Sequence, residues 1–211
     1  MIASVLHLDR KAVRALKVTD CYSVHRVVYS LFDDMRNDSQ KIASESSGIL
    51  FADQGNTKDG RRILLLADRS PKNCIDGTVV DIRSLYISDD FLDHGQYRFK
   101  VIVNPTRRSS TSKVLVPVKG VEAIAQWFAE RASSSWGFAI APAHLSVGPV
   151  NVALFQEKAN RQVTIAQAHV EGVLSVIDRE QFTHSFRRGI GRARAWGCGL
   201  LQLAPVSHRT Q

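Results

Sequence analysis

The sequence has 211 residues, of which 44% are hydrophobic, and a formal net charge of +8 at pH 7. This length and hydrophobic content allow a substantial core and exclude a disordered or fibrous chain. Because Lys and Arg are rarely buried unpaired, the excess positive charge lies on the surface and makes a polyanion a candidate partner. A solvated basic face that aids solubility is the alternative for any single cluster.

The cysteines and the apolar segments indicate in which cellular compartment the protein works. Cys21, Cys74 and Cys198 are odd in number and lack metal-ligand spacing, so we expect no disulfide framework, no metal site and no other cofactor. The N-terminal apolar stretch is too short for a signal peptide, and no run approaches the roughly 18 apolar residues of a membrane span. We therefore expect a soluble cytoplasmic protein without a membrane partner.

The first half of the chain predicts a strand, a helix and three more strands. Residues 2–8 are short and apolar, as in a buried strand, and Asp20 is placed to cap a helix. The apolar residues of that helix follow i, i+3, i+4, i+7 spacing: Val24, Val27, Val28 and Leu31. Residues 48–52 and 62–67, separated by a turn-rich segment, predict a hairpin, and residues 78–87 predict a further strand.

The second half repeats the pattern more clearly. Residues 97–103 predict a strand, and a helix follows with apolar residues at Val121, Ile124, Trp127 and Phe128. Residues 138–141 and 163–177 predict two strands, and residues 199–204 predict the last one. Between them Asp178 and Gln181 resemble a capping box that begins a helix, which Gly189 ends.

The order strand, helix, two strands, helix, strand is that of a ferredoxin-like domain. The second half shows this order, and the first half shows it less well because its second helix is hard to see. We predict an α+β fold of tandem ferredoxin-like domains, each an antiparallel sheet with helices on one face. The N-terminal domain spans residues 1–90 and carries the early helix, and the C-terminal domain spans residues 91–211 and carries a glycine-rich loop.

Three ring side chains of the early helix face away from its apolar stripe. At about 100° per residue, Tyr22, His25 and Tyr29 lie roughly 110 to 170° from the stripe. Tyr22 and His25 are spaced i, i+3, so both can address one small target. An exposed helix with incidental aromatic residues is the alternative.

An RNA partner would give these residues a chemical role. RNA carries its own nucleophile, the 2′-hydroxyl, so its cleavage needs proton transfer and a cation but no metal. A histidine with an ordinary pKa near 6.5 exchanges protons at neutral pH, whereas a tyrosine orients the hydroxyl. The sequence therefore predicts His25 and Tyr22 as catalytic residues and leaves open whether His25 is the acid or the base.

Residues 189–199 form a glycine-rich segment with basic residues. Glycines allow close approach of the backbone to a phosphate, and arginines supply charge. The predicted phosphate-binding residues are Gly189, Gly191, Arg192, Arg194, Gly197 and Gly199. The segment is neither a Walker A loop nor a Rossmann fingerprint, and a helix C-cap followed by a plain loop is the alternative.

Two further basic pairs are predicted to contact RNA. Arg107 and Arg108 follow Asn104 and Pro105 on a loop that can grip the backbone of an A-form stem, and a solvated loop is the alternative. Arg187 and Arg188 directly precede the glycine-rich segment and add to its charge.

Three segments resemble the CasE family of type I-E CRISPR endoribonucleases, within the RAMP superfamily: residues 21–32, 97–106 and 170–205. The resemblance covers nearly the whole chain, although residues 142–161 show no alignable match and leave repeat-specific contacts there open. It implies tandem ferredoxin-like domains, metal-free cleavage at the base of the CRISPR repeat hairpin, and a 2′,3′-cyclic phosphate product. It also implies that the protein stays on its crRNA product as a Cascade subunit.

Carried over by position, the resemblance places the family's catalytic histidine on His25, its accompanying tyrosine on Tyr22 and a basic residue on Arg194. Tyr29 has no family role. A non-catalytic RNA-binding subunit of a ribonucleoprotein is the alternative, because such folds host both roles. A nucleotide-binding enzyme is a third reading, which the absence of a Gly-Lys-Ser/Thr motif opposes.

Overall fold

The computed structural model describes residues 1–37, 39, 47–112, 114–157 and 161–206. Within these limits the chain divides into two compact units. The first unit comprises Met1–Ile87, Phe155–Val163 and Ala195–Gly197, and the second comprises Ser88–Leu154, Thr164–Arg194 and Cys198–Gln211. Two short segments from the C-terminal half of the sequence therefore belong to the first unit.

The first unit is built on a four-stranded antiparallel sheet. Its strands are β1 (Ile2–Asp9), β2 (Ile49–Thr57), β3 (Gly60–Ala67), β4 (Cys74–Ile75), β5 (Thr78–Val79) and β6 (Asp81–Tyr86). The sheet order is β2-β3-β1-β6, and β4 pairs with β5 in a separate small hairpin. Burial alternates along β1, so Leu6 and Leu8 face the core, as expected for a strand with one buried side.

Among the bounded helices of the described residues, two follow β1 in the first unit. α1 (Arg10–Ala15) begins at Asp9, whose carboxylate accepts a hydrogen bond from the Ala12 amide, and α2 is Cys21–Ser30. The buried side of α2 contributes Val24, Val27 and Val28 to one core cluster with the strand residues. The stripe predicted for this helix is confirmed, and α1 was not predicted.

The second unit repeats the architecture. Its strands are β7 (Gln96–Val103), β8 (Thr106–Arg108), β9 (Leu115–Pro117), β10 (Phe138–Gln156), β11 (Gln162–Val176) and β12 (Gln202–Pro205), and its helices are α3 (Val121–Ser135) and α4 (Arg179–Arg188). The sheet order is β10-β11-β7-β12, and β8 pairs with β9 outside that sheet. α4 begins at Asp178, whose carboxylate caps the Gln181 amide as predicted.

Both sheets place the first and third strands of the motif in the centre, which is the ferredoxin-like order. The prediction of tandem ferredoxin-like folds is confirmed. In the second unit a helix follows the first and the third strand. In the first unit, the segment between β3 and β6 contains the β4–β5 hairpin, residues 74–79, where the second helix would stand. This substitution is the reason that no second helical pattern is visible in the first half of the sequence.

Several predicted elements differ from the structure in their limits, among them the last strand, which was predicted for residues 199–204 and is Gln202–Pro205. The segment predicted as turn before β3 continues β2 to Thr57, with a register shift between Asp53 and Asn56. The single strand predicted for residues 78–87 is broken at Val80, whose amide donates to the Asn73 carbonyl while its side chain is buried. The strand predicted for residues 138–141 extends as β10 to Gln156.

None of the described helices is long and apolar enough to cross a membrane.

Candidate active site

Local sequence sets the start of α2, which carries the candidate catalytic residues. The Asp20 carboxylate accepts a hydrogen bond from the Ser23 amide at 2.8 Å, and the Ser23 hydroxyl accepts one from the Asp20 amide at 2.9 Å. This reciprocal cap satisfies two amides that a helix leaves without intrahelical partners. Because the cap fixes where the helix begins and the valine stripe fixes its rotation, Tyr22 and His25 are placed on the half-exposed side.

The His25 ring is oriented by a backbone carbonyl. Its Nδ1 lies 2.8 Å from the carbonyl oxygen of Ala195, 170 positions later in the sequence. A carbonyl only accepts hydrogen bonds, so Nδ1 carries a proton and donates it. In the neutral ring Nε2 is then the basic nitrogen, and in the cation Nε2 carries the exchangeable proton.

Aromatic rings surround His25. The ring centroids of Tyr29 and Trp196 lie 4.2 and 4.7 Å from the imidazole, and that of Tyr22 lies 6.4 Å away with an interplanar angle of 22°. The imidazole is half-buried among rings rather than enclosed by the aliphatic core. A ring packed on two sides and bonded through Nδ1 has little rotational freedom, which keeps Nε2 in one direction.

The two tyrosine hydroxyls differ in their partners. The Tyr29 hydroxyl accepts a hydrogen bond from Ser47 Oγ at 3.2 Å. The Tyr22 hydroxyl has no hydrogen-bond partner within the described part of the chain, and its side chain is half-exposed. Of the two tyrosines, Tyr29 thus packs on the imidazole and uses its hydroxyl within the protein. The catalytic role of Tyr22 stays a prediction.

Part of the glycine-rich segment holds this arrangement. A 3₁₀ turn at Arg194–Trp196 supplies both the Ala195 carbonyl and the Trp196 ring, and Trp196 in turn packs on Phe155 at 4.7 Å. Gly197 follows with φ +82°, and a Cβ there would lie 3.0 Å from the Phe51 ring. The segment thus presents a carbonyl and an indole to His25, a role that its composition did not predict.

Gly199 has a structural role in the second unit. Its φ is +86°, and a Cβ would lie 2.3 Å from the Ile190 carbonyl oxygen. Its amide donates to the Ile102 carbonyl at 2.7 Å, and its carbonyl accepts from the Ile190 amide at 2.9 Å. Only glycine fits this close backbone pairing. Gly189 ends α4 with φ +75°, whereas Gly191, with φ +69°, has open space where its side chain would be.

The predicted RNA-binding arginines lie in the second unit and are exposed. Arg187 and Arg188 form the last turn of α4, and the Arg194 guanidinium donates to the Arg188 carbonyl at 2.9 Å. On β8, Arg107 and Arg108 line a cavity to which Gly191 and Arg192 also contribute. The structure thus groups Arg107, Arg108 and Arg192 around one cavity.

Two residues of the site were not predicted as functional. Trp196 lies in the glycine-rich segment but is not among its predicted phosphate-binding residues, and Tyr29 was placed on the correct helix face without a role. The i, i+4 spacing of His25 and Tyr29 was the available signal for the latter. No signal in the sequence pairs Trp196 with His25. Ala195, the hydrogen-bond partner of His25 and the neighbour of Trp196, lies 170 positions away from His25 along the chain.

Cys21, which begins α2, is a poor nucleophile in this setting. Burial raises the pKa of its thiol above the ordinary value, and the nearby Asp53 carboxylate raises that pKa further. The thiol therefore stays protonated near neutral pH. Among the described residues, no group of three or more His, Cys, Asp or Glu side chains is arranged to hold a metal ion.

Comparison with known proteins defines the class. The family model described as CRISPR associated protein matches residues 1–205. The chain therefore belongs to that family of CRISPR-associated proteins, in agreement with the resemblance seen in its sequence. None of the curated proteins matches the sequence.

Solved structures share the fold over nearly the whole chain. CRISPR endoribonuclease Cse3 bound to a 19-nucleotide RNA is 19% identical with a TM-score of 0.79, covering 97% of this chain and 100% of that one. Cas6e from Escherichia coli str. K-12 is 21% identical with a TM-score of 0.64 (98% and 100% covered). A chain of a CRISPR RNA-guided surveillance complex, pre-nicking, is 22% identical with a TM-score of 0.68 (98% and 100%). At these identities the likeness establishes a common fold.

Proposed function

We propose that this protein is a metal-independent endoribonuclease of the CasE type that cuts CRISPR repeat hairpin RNA. The observation that carries the proposal is the imidazole of His25, fixed through Nδ1 by the Ala195 carbonyl and flanked by the half-exposed Tyr22. Support comes from family membership and from the shared fold with Cse3 bound to RNA. We expect the protein to act in the cytoplasm, because its RNA substrate is made there.

The reaction uses the RNA's own 2′-hydroxyl. The 2′-oxygen forms a bond to the adjacent phosphorus, the bond from phosphorus to the 5′-oxygen breaks, and a 2′,3′-cyclic phosphate remains. One proton leaves the 2′-hydroxyl and one reaches the departing 5′-oxygen. His25 Nε2 serves one of these two transfers, and the Tyr22 hydroxyl orients the reacting groups by hydrogen bonding.

Positive charge stabilises the transition state, in which negative charge builds on the phosphate oxygens. We propose Arg194 for this role, since it directly precedes Ala195 in the chain and keeps its guanidinium exposed. After cleavage, the basic residues of the second unit keep the hairpin product bound. The likeness to a chain of a CRISPR RNA-guided surveillance complex supports a lasting place beside other Cascade subunits.

Removing the imidazole tests the proposal. We expect His25→Ala, incubated with the hairpin repeat from the same genome in EDTA, to lose cleavage by at least about a hundredfold. Binding of the uncut hairpin stays within about threefold, because the arginines are untouched. Cleavage products are resolved on a gel, and binding is measured by fluorescence anisotropy.

A matched control removes a different imidazole of the same unit. His7 on β1 is also half-exposed, and His7→Ala is expected to cleave at the wild-type rate. Wild-type protein that binds the hairpin but never cuts it would favour the non-catalytic RNA-binding subunit. Loss of hairpin binding in His25→Ala would contradict the proton-transfer role.

A further inference from the structure

Four rings of the first unit contact one another in a row that passes through His25. The ring centroids of Tyr29 and Trp196 lie 4.2 and 4.7 Å from that of His25. The centroid of Phe155 lies 4.7 Å from that of Trp196. We call Tyr29, His25, Trp196 and Phe155 the aromatic row. The imidazole is an inner member of this row, so its orientation depends on the rings beside it and on the groups that hold the two ends.

The Tyr29 end of the row is held at its ring and at its oxygen. The Tyr29 ring packs against the core cluster of the first unit, and its hydroxyl accepts a hydrogen bond from the Ser47 hydroxyl at 3.2 Å. The Ser47 carbonyl accepts a hydrogen bond from Arg69 Nη1 at 3.2 Å, and the same guanidinium donates to the Asp33 carbonyl shortly after α2. Ser47 therefore connects the phenol to the chain that follows α2.

The Phe155 end of the row is buried. Phe155 is the next-to-last residue of β10, and only 4% of it is exposed. Trp196 is half-buried and contacts both Phe155 and His25. Directly after Trp196, Gly197 passes so close to the Phe51 ring that a Cβ would lie 3.0 Å from it. Phe155 and Phe51 together restrict where the indole can lie.

The hydrogen bond from His25 to Ala195 needs these ring contacts. In water a neutral imidazole prefers to carry its proton on Nε2, so the Nδ1–H form bonded to the Ala195 carbonyl has to be maintained by its surroundings. One hydrogen bond leaves the ring free to tilt about the N–H···O axis, whereas contacts on the ring faces restrict the tilt. The rings therefore keep Nδ1 directed at the carbonyl and Nε2 directed away from it.

We propose that Phe155 and Ser47 are positioning residues for proton transfer, and that they act on His25 through Trp196 and Tyr29. The inference rests on the proposed function, in which His25 Nε2 transfers a proton. Phe155 lies in the segment that shows no alignable family match, so no family role carries over to it. Because a misplacement of about 1 Å can slow catalysis about a hundredfold, loosening an end of the row should slow cleavage without weakening RNA binding.

The first test measures the tautomer of His25 in full-length protein without RNA. Nitrogen chemical shifts of protein labelled with ¹⁵N-histidine show which ring nitrogen carries the proton, and the His25 signals are the ones that disappear in His25→Ala. At a pH at which the ring is neutral, we expect Nδ1–H in the wild type. Phe155→Leu and Trp196→Leu should shift part of the population to Nε2–H, whereas Trp196→Phe keeps a ring and should resemble the wild type.

A matched control separates positioning from general loosening of the fold. Phe138, at the start of the same strand, is also a buried phenylalanine with ring contacts, and it belongs to the second unit. Phe138→Leu should leave the His25 tautomer unchanged. A shift as large as that in Phe155→Leu would overturn the inference, because any loss of a buried ring would then act on His25.

The second test compares the rate of cleavage with affinity. The single-turnover rate is measured on the repeat hairpin, and affinity is measured on the same RNA with a 2′-deoxy nucleotide at the cleavage position, which keeps the RNA intact without altering the protein. We expect Phe155→Leu to slow cleavage about tenfold and to change affinity by less than about twofold. Ser47→Ala and Tyr29→Phe remove the same hydrogen bond from its two sides, so each should slow cleavage about threefold and the double variant no further.

Combining variants tests the route through Trp196. Because Phe155 acts through the indole, Phe155→Leu with Trp196→Leu should cleave within about twofold of Trp196→Leu alone. Multiplied effects would overturn the inference, and so would an unchanged tautomer or an unchanged cleavage rate in Phe155→Leu. Affinity that falls in parallel with the rate would also overturn it, since Phe155 would then support RNA binding. Failure of the proposed function is seen separately, because wild-type protein would then leave the hairpin uncut while the nitrogen shifts follow the expectation.

Discussion

The hydrogen bond from His25 to Ala195 fixes the tautomer and the orientation of the imidazole. An imidazole on an exposed helix can adopt either tautomer and several rotamers, and only some of these present a useful nitrogen. Bonding through Nδ1 to a carbonyl selects the tautomer whose Nε2 is basic, and the Tyr29 and Trp196 rings limit rotation. The catalytic proposal depends on this fixed orientation more than on the presence of a histidine.

The glycines of the 189–199 segment are not equivalent. At Gly199, a side chain would clash with a backbone carbonyl and the residue would also have to adopt a left-handed φ. At Gly191, the left-handed φ is unfavourable but there is no clash. The sequence shows four glycines in one short run and cannot distinguish these two situations. The distinction depends on which backbone lies opposite each residue.

This difference predicts that replacing Gly199 by alanine lowers the free energy of unfolding more than replacing Gly191 does. We expect Gly199→Ala to lower the free energy of unfolding by about 3 kcal/mol or more, because a backbone clash adds to the strain of a positive φ. Gly191→Ala should cost only about 1 to 2 kcal/mol, the strain alone. Urea unfolding followed by circular dichroism measures both. Equal losses would show that the Ile190 carbonyl does not restrict position 199.

At the scale of elements, α2 shows what periodicity can and cannot provide. The spacing of its valines and the cap at Asp20 predicted the helix, its buried stripe and the exposed side with Tyr22 and His25, and the structure agrees. The two partners that complete the surroundings of His25, Ala195 and Trp196, come from a 3₁₀ turn near the other end of the chain. Periodicity describes one element and does not predict contacts between residues that lie so far apart in the sequence.

The cap of α2 can be tested independently of catalysis. Asp20→Ala removes the acceptor for the Ser23 amide and is expected to lower the free energy of unfolding by about 1 kcal/mol. Asp20→Asn keeps an acceptor oxygen and should recover most of that loss. Chemical denaturation of the three proteins compares them. If both variants lost the same stability, charge rather than capping would hold the start of the helix.

Irregular elements were the least predictable. The hairpin β4–β5 replaces a helix, and the long β10 runs through a segment in which the sequence showed no family resemblance, although the family model spans it. β10 carries exposed apolar residues, Val152 at 67% and Leu154 at 59%, so its pattern resembles neither a buried strand nor a clean alternation. Tertiary pairing with β11 rather than local propensity sets such a strand.

At the scale of the whole molecule, the sequence order and the spatial units differ. A domain boundary near residue 90 remains the prediction from the sequence. Residues 155–163 and 195–197 nevertheless cluster with the first unit. The glycine-rich segment is therefore divided: Ala195, Trp196 and Gly197 belong to the first unit, and Gly189, Gly191 and Gly199 belong to the second. No linear pattern indicates such a division, because each piece is only a few residues long.

The basic charge of the molecule makes a quantitative prediction about RNA affinity. Replacing Arg187 and Arg188 together by Gln is expected to reduce the slope of log Kd against log salt by about 2, one for each lost phosphate contact. The pair Lys11→Gln and Arg83→Gln removes the same charge from exposed positions of the first unit and should leave the slope within about 0.5 of wild type. Equal slopes for both double variants would mean that net charge alone attracts the RNA.

In the proposed reaction, the RNA's 2′-hydroxyl attacks while His25 moves a proton, with no metal required. The most direct measurement compares wild-type cleavage of the repeat hairpin in EDTA with cleavage of the same RNA carrying one 2′-deoxy nucleotide just upstream of the scissile bond. We predict that the unmodified RNA yields a 2′,3′-cyclic phosphate end and that the deoxy RNA is bound but not cut. Cleavage of the deoxy RNA, or cleavage that appears only with magnesium, would contradict the account.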